Sequence, residues 1–182
     1  MNWFVGLVIP KFEEYDNYMV ELPKGLRSFH PEDLHLTVAF LGNCGHKAAL
    51  HAWEKLVQEV YFMPFPLMPG ALVPFGSPKN PSAYSIVPTI GKEMATKLIA
   101  RYRDPFLQEV SAKPDLRPPQ PHITIVRPSR NSTTEEQKQH LFWANNLHFP
   151  ESTSVIHTLA LYTWADDRRV KQFKIVAEQK MD

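Results

Sequence analysis

The segments His35-Leu-Thr-Val38 and His122-Ile-Thr-Ile125 repeat one pattern, His-x-Thr-x with apolar residues at both x positions, 87 residues apart in a chain of 182. Each lies in a run that reads as a strand: Leu34 to Leu41, closed by Gly42, and His122 to Val126. A strand alternates its side chains between two faces, so each copy sends His and Thr one way and its apolar residues the other. With the apolar face on a core, the polar face opens onto a cleft. If the two halves are related by a pseudo-two-fold axis, two imidazoles and two hydroxyls converge there from opposite sides.

The rest of the chain supplies cover for such strands. Trp3 to Ile9, stopped by Pro10, reads as a first strand, and Ala83 to Val87 as another. Phe12, Tyr15, Met19 and Leu22 fall at helical spacing, with Glu13, Glu14 and Asp16 suited to a first turn. Leu50, Trp53, Leu56, Val57 and Val60 mark an amphipathic helix from about 46 to 62. Phe65 to Phe75, interrupted by prolines, reads as extended chain near a sheet edge, followed by a turn over 76–81. Met94, Leu98, Ile99 and Tyr102 mark a third helix from near Gly91, which Pro105 is expected to kink or restart. Residues 113–121 carry four prolines and form a rigid lead-in to the second motif. Thr133-Thr-Glu-Glu136 offers a capping box for a fourth helix with Leu141, Ala144 and Leu147 on one face. Val155–Tyr162 and Val170–Ala177, around 165–168, read as a closing hairpin.

This order implies one α+β domain spanning 1–182, with sheets covered by helices on one side. The charge balance, 20 basic against 19 acidic side chains for a net +1, supplies no global field toward nucleic acid or anionic membrane, so any grip on phosphate must be local. One cysteine, Cys44, excludes an internal disulfide and fits a reducing compartment. No run approaches the roughly 20 apolar residues of a membrane span, and Trp3–Pro10 lacks the basic lead-in of a signal peptide. A cytoplasmic protein is expected.

Paired histidines and threonines suit displacement at phosphorus. One group must take a proton from the incoming water and another must protonate the departing oxygen, in line on opposite sides. A reference pKa near 6.5 lets one imidazole be neutral while the other is protonated. Threonine hydroxyls donate to the non-bridging oxygens, where charge accumulates. The scheme needs no metal or other cofactor. A lone strand histidine reads as structural; the duplicated pattern reads as functional, because burying two imidazoles and two hydroxyls without purpose leaves polar groups to satisfy.

Leu34-His-Leu-Thr-Val-Ala-Phe-Leu-Gly42 and Pro121-His-Ile-Thr-Ile-Val-Arg127 resemble the two signature strands of the two-histidine phosphoesterase superfamily, in its 2′-5′ RNA ligase-like branch. Phe4-Val-Gly-Leu-Val-Ile-Pro10, Phe75-Gly-Ser-Pro78 and the closing hairpin at Leu161-Tyr162 extend the likeness over nearly the whole chain. The resemblance implies a bilobal, pseudo-two-fold α+β arrangement of two antiparallel sheets, with helices on the outer faces and a central cleft. It implies an RNA 2′,3′-cyclic phosphodiesterase acting on RNA 3′ ends or cyclic nucleotides. The product would be a monoester, commonly the 2′-phosphate, and reverse 2′-5′ ligation would use the same cleft. It also implies His35 as acid and His122 as base, Thr37 and Thr124 on phosphoryl oxygens, and Arg127 as a cationic contact. Neither an obligate protein partner nor a membrane is implied. Relatives often carry basic residues after Gly-Ser-Pro, where this chain has Lys79, a lone loop lysine that reads as solvated.

Other candidates carry less. Phe40, by alternation opposite His35, reads as core; Trp3 and Phe4 read as first-strand packing, with base stacking at the cleft rim as the alternative for either aromatic. His30, His46, His51, His140, His148 and His157 lack paired partners and read as surface or structural. His46 and His51, five apart, miss the spacing of a helical metal pair. Cys44 has no base beside it, and Arg130 reads as a solvated loop charge. Two other functions compete with hydrolysis. A non-catalytic module of the same fold would bind RNA or nucleotide phosphate unchanged, and a metallohydrolase would use His35 and His122 as ligands, though neither strand supplies the usual carboxylate.

Overall fold

The computed structural model describes residues 1–12, 15–77 and 80–181. In chain order the strands are β1 (Trp3–Val8), β2 (Leu26–Ser28), β3 (His35–Gly42), β4 (Phe65–Leu67), β5 (Leu72–Ser77), β6 (Asn80–Ile86), β7 (Ile123–Pro128), β8 (Ser154–Ile156), β9 (Thr158–Trp164) and β10 (Phe173–Lys180). The α-helices are α1 (Tyr15–Met19), α2 (His46–Leu56), α3 (Lys92–Glu109) and α4 (Thr134–Asn146). The architecture is α+β, as the order of sequence patterns implies.

Eight strands make the main sheet, in the order β10-β9-β1-β3-β7-β6-β5 with β2 also paired to β7, and every registered pair is antiparallel. A small second sheet joins β4 to β8. The main sheet is divided at its middle. β1 and β3 pair over six registered positions, whereas β3 and β7 meet at one, Leu36 opposite Ile123. The two expected lobes are therefore two half-sheets, β10-β9-β1-β3 and β7-β6-β5, joined at a single-pair seam. Leu36 and Ile123 are fully buried, so the seam is anchored in the core while the other face of both strands stays polar.

The halves repeat one irregularity. On β3, Thr37 lies opposite Gly6 and Ala39 opposite Val5, leaving Val38 as an extra residue. On β7, Thr124 lies opposite Ser85 and Val126 opposite Tyr84, leaving Ile125 extra. Both bulges directly follow the motif threonine. An extra residue shifts the alternation by one, so the third residue after each threonine returns to the cleft face. Phe40 and Arg127 occupy those equivalent positions. This corrects the expectation that Phe40 is core: it is 55% exposed, because the bulge reverses the face that strict alternation assigns.

Several local expectations meet the structure. The capping box forms: the Thr133 hydroxyl accepts from the Glu136 amide at 3.2 Å, and the Glu136 carboxylate accepts from the Thr133 amide at 2.9 Å. β5 is an edge strand and tolerates Pro74. The first helix is shorter than its spacing implied, stopping at Met19, and Glu13 and Glu14 lie outside the described residues. Pro105 does not restart α3, which runs through it. Tyr102, Phe106 and Leu107 are buried on either side, and packing of this kind outweighs the roughly 3 kcal/mol that an interior proline costs. No helix among the described residues is long and apolar enough to cross a membrane.

Candidate active site

Extending the Leu36–Ile123 register by one residue sets His35 level with Thr124, and Thr37 level with His122, all on the face opposite the buried pair. The two motifs thus form a crossed square of imidazole, hydroxyl, imidazole and hydroxyl. The rings are near enough to feel each other, since charge on His122 disfavours protonation of His35.

Both imidazoles are held alike. His35 Nδ1 lies 2.6 Å from the carbonyl oxygen of Asp33, and His122 Nδ1 lies 2.7 Å from that of Gln120. A carbonyl only accepts, so each Nδ1 carries the hydrogen and each Nε2 is left free to exchange a proton. Asp33 closes a 3-10 turn over Pro31–Asp33 and Leu34 is extended, while Gln120-Pro121 leads into the second motif; both place a carbonyl two residues before the histidine.

Their surroundings differ. His35 is enclosed by Phe4 (ring centroids 4.5 Å apart), Tyr162 (5.3 Å) and the edge of Phe173 (5.2 Å). Phe4 is 4% exposed and itself stacks on Tyr162, so it supports an imidazole and is no rim platform. His122 stacks on the half-buried Phe75 at 4.2 Å. Burial pushes His35 down to about 4; the charges of His122 and Arg127 act in the same direction, against the Asp33 carbonyl. Burial also lowers His122, with Arg117 adding to it against the Gln120 carbonyl. Both are neutral bases in the free protein at pH 7.

The threonines are not equivalent. Thr124 Oγ1 lies 3.0 Å from Ser85 Oγ, which is fully buried on β6, whereas Gly6 stands opposite Thr37 in the other half. A side chain there would come within 3.1 Å of the Leu36 carbonyl and 3.6 Å of the His35 ring, so glycine permits the close strand approach.

Arg127 reaches the His35 end of the cleft and lies over the Phe29 ring at 5.3 Å. Sequence reasoning missed its neighbours Arg27 and Arg168, and Gln172 between them. β2 has only three residues, too few for a periodic signal, and Arg168 falls in a segment that reads as a hairpin turn. Ser85 could have been noticed as the one serine in the run Ala83 to Val87, which reads as a strand.

The remaining histidines are structural or peripheral. His140 is fully buried and donates from Nε2 to the Lys24 carbonyl at 2.8 Å, while His30 Nδ1 accepts from the Glu32 amide at 3.2 Å. Lys79 lies outside the described residues. A cavity of about 770 Å³ beside Lys11, His30 and Lys171 includes neither motif histidine. Among the described residues, no three His, Cys, Asp or Glu side chains gather to hold a metal.

The fold, an antiparallel sheet divided at its middle and flanked by helices, is shared with several solved structures, one of them described as a phosphoesterase. TT0787 of Thermus thermophilus superposes with a TM-score of 0.71 at 16% identity, covering 100% of this chain and 98% of its own. Escherichia coli LigT complexed with 3′-AMP gives 0.71 at 17% identity, with coverage of 99% and 97%. Kluyveromyces marxianus Usb1 is more distant, at 0.55 and 8% identity over 88% and 92%. No protein-family model matches the sequence, and no curated protein matches it significantly.

Proposed function

We propose that the protein is a phosphodiesterase that opens 2′,3′-cyclic phosphates of RNA ends or nucleotides, using His35 and His122 as its acid–base pair. One observation carries this reading: two imidazoles, each with Nδ1 tied to a carbonyl two residues back, leave both Nε2 atoms free on one cleft face across the Leu36–Ile123 seam. The fold it shares with LigT, which has been solved with 3′-AMP, NADP+, ATP and phosphate, supports a nucleotide-phosphate ligand.

In the reaction a water oxygen bonds to phosphorus while the P–O3′ bond breaks, leaving a 2′-phosphate and a 3′-hydroxyl. His122 Nε2 takes the water proton and His35 Nε2 gives its proton to O3′. Thr37 and Thr124 donate to the non-bridging oxygens, and Arg127 offsets the phosphoryl charge. Serving as acid requires His35 to gain a proton that burial disfavours in the free protein. The anionic phosphate supplies the condition, because it offsets the Arg127 charge and pairs with the imidazolium. Substrate binding therefore loads the acid.

The test is hydrolysis of a nucleoside 2′,3′-cyclic phosphate in the presence of chelator, with the product's phosphate position read by phosphorus NMR. Turnover to the 2′-monoester is expected. Tight binding of the cyclic nucleotide without turnover would identify the non-catalytic module instead.

A further inference from the structure

The His35 end of the cleft holds three arginines. Arg27 and Arg127 are directly opposed on β2 and β7. Arg27 Nη2 and Arg168 Nη2 both donate to one oxygen, Gln172 Oε1, at 3.2 and 3.0 Å. Gln172 is 8% exposed and is held in turn, its Nε2 donating to the Arg168 carbonyl at 2.7 Å and its amide to the Asp33 carboxylate at 2.8 Å. Arg168 lies 3.8 Å above the Trp164 ring, Trp164 stacks on Phe173, and the edge of Phe173 meets His35. Two aromatic layers thus link the motif imidazole to the arginine group.

Among the described residues no carboxylate neutralises this group, although acidic residues are close by. Asp167 pairs with Arg169, Asp166 with Lys174, Glu32 with Lys171 and Asp16 with Lys11. Both oxygens of Asp33 are occupied by the amides of Gln172 and Phe173. Among the described residues, Arg27, Arg127 and Arg168 have no ionic partner, and the charges of Arg27 and Arg168 add to burial in disfavouring the charged form of Arg127. Three like charges, two held by a buried glutamine and the third over the Phe29 ring, form a site for an anion.

We propose that Arg27 and Arg168, joined through Gln172 beside Arg127, form a second phosphate subsite that takes the phosphate on the 5′ side of the terminal cyclic nucleotide. The inference rests on the reading that the scissile phosphate lies between His35 and His122. The two ends of the cleft differ in charge: the His35 end holds three arginines without an ionic partner among the described residues, whereas at the His122 end Arg117 is paired with Asp115, beside Phe75 and the exposed Phe40. A terminal ribose has two outgoing substituents, a base and a 5′-phosphate, which suit the aromatic and basic ends respectively. The preferred substrate is then a nucleotide with a second phosphate, as at an RNA 3′ end, and not a bare cyclic mononucleoside.

Binding tests this without turnover. Calorimetry would compare adenosine 3′-phosphate, adenosine 3′,5′-bisphosphate and the dinucleotide ApAp on the wild-type protein, Arg27→Gln and Arg168→Gln. In wild type the bisphosphate is expected to bind about tenfold tighter than the monophosphate, with a steeper fall in affinity as salt rises. Each substitution should bring that ratio to within about threefold, at unchanged melting temperature since both side chains are exposed. Equal wild-type affinities, or a preference that survives both substitutions, would overturn the subsite. ApAp binding as tightly as the bisphosphate assigns the phosphate to an RNA strand; preference for the bisphosphate alone assigns it to a free 5′ end. A preserved bisphosphate preference without hydrolysis of any cyclic substrate would defeat the enzymatic reading and leave the subsite standing.

Discussion

Asp33 grips His35 by its backbone and the start of β10 by its side chain. Its carbonyl oxygen receives the His35 Nδ1 hydrogen at 2.6 Å, while its two carboxylate oxygens accept the amides of Gln172 and Phe173 at 2.8 Å each. A buried residue that is not placed on phosphate therefore couples the motif imidazole to the end of a distant strand. Asp33→Ala leaves two buried amides without acceptors, and each such loss costs about 1–3 kcal/mol. Thermal or urea unfolding should show destabilisation of roughly 2–5 kcal/mol. A change below about 0.5 kcal/mol would mean that these contacts do not form in solution.

Replacing either motif histidine should slow cyclic phosphate hydrolysis by about 10²–10⁴, the usual worth of general acid–base catalysis. His35→Ala and His122→Ala, each assayed at saturating substrate, provide the measurement. Full activity in either variant would remove that imidazole from the chemistry.

His35 should also leave a mark on acid stability. Its folded pKa of about 4 lies below the ordinary histidine value near 6.5, so as pH falls the unfolded chain takes up this proton first. The neutral ring's contribution is intact above about 6.5 and is lost progressively as pH drops toward 4. Unfolding free energies should decline over that window, and less so in His35→Gln. NMR titration of the ring gives the companion result: a low pKa in the free protein that rises when 3′-AMP is bound. A ring that stays neutral in the complex at about pH 6 would make His35 the base and His122 the acid.

The hydroxyl pair of Ser85 and Thr124 makes a graded prediction. Ser85 Oγ is fully buried with Thr124 as its bonded neighbour, so when Ser85 donates, the Thr124 hydrogen is left to point into the cleft. Ser85→Ala should lower kcat several-fold with little change in KM, and should lose most of that effect in a Thr124→Val background. Additive effects of the two substitutions would show that Ser85 does not act through Thr124.

Much of this site was legible before any coordinates, because the strand period alone puts His35 with Thr37 and His122 with Thr124 on one face. The capping box at Thr133 and the edge position of the proline-broken strand were legible for equally local reasons. Alternation failed at Phe40, where one inserted residue reverses the faces and leaves no compositional trace. Arg27 and Arg168 were hidden because what joins them is tertiary: strand β2 is too short to carry a period, and Gln172 binds both only once the segment leading into β10 lies beside β2. At Pro105 the helix does not restart, because packing on either side offsets the local cost.

The seam between the half-sheets has one more consequence. A single aliphatic pair joins the half-sheets beneath the two working nitrogens, so the bulk of Leu36 and Ile123 bears directly on their separation, while the aromatics of β9 and β10 fix the His35 ring on its own side. Leu36 and Ile123 behave as the rivet of a pair of pliers: shaving the rivet alters the bite.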